Sequence, residues 1–256
     1  MKKHDHTLCV AALSDIHGNR WALEAVLRDI DKRGISNIVN LGDSVYGPLN
    51  PAGTADLLIG RDIPTVLGNE DRILLEPAEK HATSTSLAFT KNVLQPDHLA
   101  WIESLPKAVT ACDRLFLFHG TPDSDEEYLL SSVAPSGVHL RDTGDLTTRL
   151  LSIQQDVILC GHYHLPRTVS LLDGKLVVNP GSVGCPAYSD DHPHPHVMEN
   201  GSPHARYAVL TLDGSGWLVE HIVLPYDWST AADTARNNGR PDWSEWLMTG
   251  RAATNR

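Results

Sequence analysis

The sequence predicts an α/β domain built around a largely parallel sheet, and three observations carry that expectation. Short apolar runs, TLCVAAL at 7–13, NIVNL at 37–41 and IPTVL at 63–67, have the length and β-branched content of buried strands. Each run stops at a polar segment containing glycine: SDIHGN, GDSVYGP and GNED. Helical stretches follow these stops, and strands that alternate with helices are joined by crossovers, which leaves neighbouring strands parallel.

From about Asn19 to Arg33, Trp21, Leu23, Val26, Leu27 and Ile30 recur at helical spacing. Further helices are expected near Pro51 to Ile59, behind GNED, and at about 81–94 and 97–104. The second half is richer in strands, at AVTAC, LFLFH, VILC, RTVSLL, KLVVN, RYAVLTL and WLVEHIVL. Residues 120–140 and 184–204 read as long loops, and the tail after Tyr226 as two short helices split by NNGRP. Without repeats or a long linker, one domain over 1–256 is expected, with 226–256 as a C-terminal helical extension.

Composition narrows the function. A formal net charge of −11 makes long nucleic acids poor partners, because the field repels polyanions. Cysteines 9, 112, 160 and 185 are dispersed, without a CxxC pair, which suits a reducing cytoplasm. The start MKKHDHTLCVAAL resembles a weak leader, but SDIHGN follows at once, and no apolar run approaches the roughly 20 residues of a membrane helix.

Chemistry concentrates at strand ends: Asp15 and His17, Asp43, Asn69, His119, then His162 and His164. Open α/β sheets bind ligands at the carboxyl ends of their strands. Residues i and i+2 of an extended chain face the same side, so each of the pairs 15/17 and 162/164 is expected to aim two donors at one point. Imidazole and carboxylate suit Mn²⁺, Fe, Co²⁺, Ni²⁺ or Zn²⁺, and seven donors exceed one tetrahedral ion, which favours a two-cation site of the kind that clamps a phosphate.

SDIHGN, LGD, GNE, FHG and GHYH, in that order over residues 14–164, resemble the five signature blocks of the calcineurin-like metallophosphoesterases, and NPGSVG at 179–184 resembles a loop of their bacterial branch. The resemblance implies a four-layer αββα sandwich of two mixed sheets flanked by helices. It implies that Asp15, His17 and His164 hold one metal, that Asn69, His119 and His162 hold a second, and that Asp43 bridges them. Two divalent cations follow, Mn²⁺ first among them, with hydrolysis by in-line attack of a metal-bound hydroxide on a small phosphate ester, a nucleotide among the options.

One position departs from the pattern. Many relatives place His after the Asn of GNE, near the leaving group, where this chain has Glu70. An ionised Glu70 repels a doubly charged monoester more than a singly charged diester, unless it is protonated or Arg72 neutralises it, so a phosphodiesterase is expected. Asn69 and Glu70 are the candidate catalytic residues, and Asn19, Arg72 and Asn179 the candidate phosphate contacts.

Ordinary jobs compete with each assignment. Asp43 fits a turn, Asn69 or Asn19 a helix cap, and Arg72 a surface ion pair. The run DDHPHPHVMENGSPH, with His192, His194, His196 and His204, fits an extended lid better than a further metal site, and Trp243 and Trp246 fit packing. GDSV at 42–45 also resembles the nucleophile block of GDS-type esterases, with Ser44 as nucleophile and Asp191 and His194 at triad spacing. A metal-free scaffold on the same fold is the non-enzymatic alternative.

Overall fold

The computed structural model describes residues 8–77, 80 and 84–252. Most of the leader-like start and residues 81–83 of an expected helix lie outside them. In chain order the elements are β1 (Leu8–Leu13), α1 (Arg20–Arg33), β2 (Asn37–Asn40), α2 (Pro51–Gly60), α3 (Asn69–Ile73), α4 (Thr85–Val93), α5 (Pro96–Ser104), β3 (Ala108–Ala111) and β4 (Leu115–Phe118). Then come β5 (Ser131–Ala134), β6 (Gly137–Leu140), α6 (Thr143–Arg149), β7 (Val157–Cys160), β8 (Arg167–Ser170), β9 (Leu176–Asn179), β10 (Ala187–Asp190), β11 (His196–Glu199), β12 (Ala205–Asp213), β13 (Gly216–Leu224), α7 (Trp228–Asn237) and α8 (Pro241–Thr249).

Two mixed sheets form, in the orders β13-β12-β1-β2 and β3-β4-β7-β9-β8. In β1, period-two alternation splits the side chains: Val10 and Ala12 join Leu117, Leu159 and Val178 of the other sheet, while Ala11 and Leu13 join Val26, Leu27 and Ile30 of α1. On the far side, Ile158 and Cys160 of β7 pack with Leu146 and Leu150 on and beside α6. Helix, sheet, sheet, helix is the four-layer αββα sandwich.

Asn19 starts α1 by accepting the Ala22 N–H, and Gly34 ends it in the left-handed conformation that glycine adopts without a Cβ clash. IPTVL makes only one parallel bridge, Asn40 to Thr65, instead of a strand, because Pro64 has no N–H to donate. Both expected long loops contain hairpins, β5–β6 and β10–β11. The alternation of β10–β11 is masked in sequence by its Pro- and His-rich turn. His196 is buried there, so this segment is an anchored ladder and not a solvated lid. The two tail helices are present, and their Ala231, Ala235, Trp243 and Leu247 share a core with Val45, Tyr46 and Leu87.

Candidate metal centre

The β1 and β2 loops are zipped together by backbone hydrogen bonds, Asp15 N–H to Gly42 O at 3.0 Å, His17 N–H to Asp43 O at 2.9 Å and Gly18 N–H to Ser44 O at 3.0 Å. This brings Asp15, His17 and Asp43 to one sheet edge. From the second sheet, β4 delivers His119 and β7 delivers His162 and His164. Two glycines of the sequence blocks are steric necessities: a Cβ on Gly68 would strike the Asp43 carboxylate, and one on Gly161 would strike Ser14 Oγ.

The extended-chain expectation for the paired donors is corrected by the backbone. Asp15, His17, Asp43, His162 and His164 all have positive φ, between 52° and 65°. Left-handed residues turn the chain back on itself, so alternate side chains no longer share a side by pleating. Asp15 and His17 do converge, with His164, but His162 turns instead to Asp43 and His119.

Within each of these two groups the donor atoms lie within 4.8 Å of one another. His17 Nε2 is 3.1 Å from His164 Nε2, which is 3.4 Å from Asp15 Oδ1. His119 Nε2 is 3.3 Å from Asp43 Oδ2 and 2.9 Å from Asn69 Oδ1. Asp43 also falls in a third group with His17 and Glu70, so its carboxylate reaches toward both clusters.

Outer contacts aim the rings. His119 Nδ1–H donates to Leu41 O at 2.7 Å and His164 Nδ1–H to Cys185 O at 2.8 Å, leaving each Nε2 lone pair directed inward. That tautomer suits a cation, and buried His17 and His164 facing each other through ring nitrogens is the donor arrangement a cation satisfies. The field agrees. Burial would push His119 down, but Asp43 and Asp15 lift it to about 10. Against the same penalty Glu70, Asp43 and Asp15 raise His17 to about 9. Burial opposes ionisation of Asp15, yet His164 and His119 hold it below its usual range, and Asp43 is lowered by His119 and His17 in the same way. His162 goes the other way, to about 4, through burial and the nearby His119. The carboxylates thus favour positive charge at His17 and His119, whether a proton or a cation on the inward nitrogen supplies it, which marks a pocket set up for positive charge. Cys185 lines the same cavity, but burial raises its thiol well above the usual value and it donates to Ala187 O at 3.2 Å.

Several sequence expectations fall elsewhere. Asn19 donates to Gly184 O and Tyr226 OH besides capping α1, and Asn179 donates to Gly161 O and accepts from Gly181 N–H. Both are fully buried, so their amides are committed to holding loops rather than meeting phosphate. Arg72 is clamped by Asp125, Glu76 and Glu126, and Glu70 pairs instead with His17 Nδ1 at 3.0 Å. Ser44 is fully buried and its hydroxyl accepts from Asn40 at 2.9 Å, which removes it as a nucleophile; Asp191 and His194 lie in or beside the exposed β10–β11 turn.

Sequence reasoning missed Asp71. Its buried carboxylate accepts the N–H groups of Ser44 and Val45 at 2.9 and 3.3 Å, tying the Asp43 loop to the Asn69 loop. The signal was its place right after Glu70 in GNED. Tyr128, Tyr188, Arg240, Trp243 and Trp246 also line the central cavity, and no local motif announces them.

A calcineurin-like phosphoesterase superfamily domain matches residues 8–215. The chain belongs to that superfamily. This phosphoesterase is 29% identical over 267 residues to an uncharacterised protein of Methanocaldococcus jannaschii, covering 94% of this chain and 98% of that one. Its fold is similar to a metallophosphoesterase from Sphaerobacter thermophilus, with TM-score 0.73, 23% identity, and coverage of 95% of this chain and 100% of that chain. A hypothetical protein from Pyrococcus horikoshii OT3 gives TM-score 0.74 at 18% identity, covering 96% and 99%. Membership assigns the phosphoesterase to the metal-dependent hydrolases of phosphate esters. No helix among its described residues is long and apolar enough to cross a membrane.

Proposed function

We propose that this phosphoesterase is a dinuclear phosphodiesterase acting on a small phosphate ester. The observation that carries the reading is the pair of donor clusters with Asp43 in reach of both. Asp15, His17 and His164 would hold one cation, Asn69, His119 and His162 the other, and Asp43 would bridge, with Mn²⁺ the first choice for oxygen and imidazole donors. When bound, the cations supply Lewis acidity and lower the pKa of water.

The chain's own residues position the ester. Asn69 lines the cavity with its Oδ1 beside His119, and its amide N–H₂ would donate to a phosphoryl oxygen. Water attacks phosphorus in line as the P–O bond to the leaving group breaks; the water gives up one proton, the leaving oxygen takes one, and the alcohol departs. Glu70 lines the same cavity, and Arg72 is spent elsewhere. A carboxylate there disfavours the dianionic monoester relative to the monoanionic diester.

The test compares bis(p-nitrophenyl) phosphate with p-nitrophenyl phosphate, using chelated protein and protein resupplied with Mn²⁺. Manganese-dependent diester turnover, reduced at least about a hundredfold in Asp43→Ala, is the expected result. Bound manganese with no turnover of either ester would sink the reading in favour of a scaffold.

A further inference from the structure

Each of three donor histidines carries an aromatic ring on its cavity side. Trp243 meets His17 edge-on with centroids 5.8 Å apart, Tyr188 meets His164 at 4.6 Å, and Tyr128 meets His162 at 4.8 Å. Tyr46 and Trp246 extend the same wall. The tail helices are fixed in place to do this: Asn238 donates to Pro48 O at 2.8 Å, Arg240 donates to Ser86 Oγ, and α8 packs on β10. The C-terminal hairpin is therefore part of the cavity.

The cavity holds about 300 Å³, the lower end of the roughly 300–1,000 Å³ of small-molecule sites. That accommodates one phosphate and one ring system, not a polymer. Apart from the histidines, its one basic lining side chain among the described residues is Arg240. That guanidinium is held by Asp242 at 2.6 Å and lies 5.6 Å from the Trp243 ring centre. Glu70 and Asp190 are the acidic groups beyond the donor cluster. A second phosphate would meet carboxylates with no free cation, whereas an uncharged planar group meets aromatic rings, among them Trp243 and Trp246 packed together beside the Arg240 guanidinium.

We propose that this aromatic wall is a subsite for the planar heterocycle of a singly phosphorylated ester of nucleoside type, with Trp246 and Tyr188 as specificity determinants. The placement of the phosphate rests on the metal-centre reading above; the recognition of the ring does not. Stacking of a base on aromatic side chains is sequence-tolerant and contributes about tenfold or more in affinity.

Calorimetric titration of manganese-loaded protein with adenosine 5′-monophosphate, ribose 5-phosphate and adenosine separates the two. The nucleotide should bind at least about tenfold tighter than ribose 5-phosphate, and adenosine alone should bind weakly. Trp246→Leu should cut that ratio to about twofold with ribose 5-phosphate affinity unchanged. Tyr188→Leu, beside His164, should cut the ratio as far whatever it does to ribose 5-phosphate affinity. Circular dichroism identifies a misfolded variant, in which case the other decides. A ratio near one in the parent protein, or an unchanged ratio in a folded variant, overturns the subsite. Adenosine binding that Trp246→Leu abolishes, alongside ribose 5-phosphate that gains nothing from Mn²⁺, would keep the subsite and reject the metal-centre reading.

Discussion

Glu70 is pulled two ways. Burial pushes its carboxyl up to about 7, while the His17 contact pulls it down. It lines the cavity and pairs with the His17 ring, so in the proposed function its charge would bear on substrate choice and its oxygen on the ring's orientation. Glu70→Gln separates these roles, because the amide oxygen still accepts from His17 Nδ1. Above pH 7, where the Glu70 carboxyl is ionised, monoester turnover relative to diester should rise about fivefold to tenfold from the removal of one unit of repulsion, and below pH 7 the rise should shrink. An unchanged ratio, read from the two nitrophenyl esters, would dissociate Glu70 from the diester preference. At this scale the sequence was informative where a residue belongs to a block. Asp15, His17, Asp43, Asn69, His119, His162 and His164 gather as their blocks implied. It was misleading for Asn19, Asn179 and Arg72, because proximity to a block does not say which way a side chain turns.

Helix α1 is clamped to the sheet by a single carboxylate. Asp29 accepts from Tyr207 OH of β12 at 2.7 Å and from Arg33 Nε one turn along at 2.7 Å. Partial burial opposes its ionisation, yet these two donors hold it below its usual value. A depressed folded pKa contributes stability that is present above the unfolded value near 3.8 and is lost as pH falls through the folded one. Asp29→Asn should therefore cost roughly 0.5–1 kcal/mol at neutral pH. The gap between variant and parent in urea denaturation should close as pH drops below 4; a gap independent of pH would show that the clamp does not depend on charge. Elements themselves were legible in proportion to their periodicity. The α1 stripe and the apolar strands could be read directly, while β10–β11 was hidden by prolines in its turn and the Pro64 segment looked like a strand until its missing N–H was counted. The role of α8 in walling the cavity left no local trace, since it depends on where a chain end packs.

Across the whole molecule, the candidate donors come from both sheets. Asp15, His17 and Asp43 belong to the edge of the β1 sheet, and His119, His162 and His164 to that of the β7 sheet. A cation shared between them would staple the two halves of the sandwich where the buried core ends. Ligand binding to the folded state alone stabilises by about 2.7 kcal/mol at a hundredfold excess over Kd. For a chain of this length that corresponds to a rise of about 5–10 °C in Tm per filled site. Calorimetric scans should show this rise with Mn²⁺, its reversal by chelator, and its loss in Asp43→Ala; a Tm indifferent to manganese would mean the sheets are not joined this way.

Five of the seven candidate donors occupy left-handed backbone, where any side chain but glycine's costs about 1 kcal/mol or more. Chemistry and foldability therefore ask for different residues at the same positions. A copy of this gene released from its chemistry would be favoured to drift toward glycine at 15, 17, 43, 162 and 164, keeping the sandwich while its centre empties.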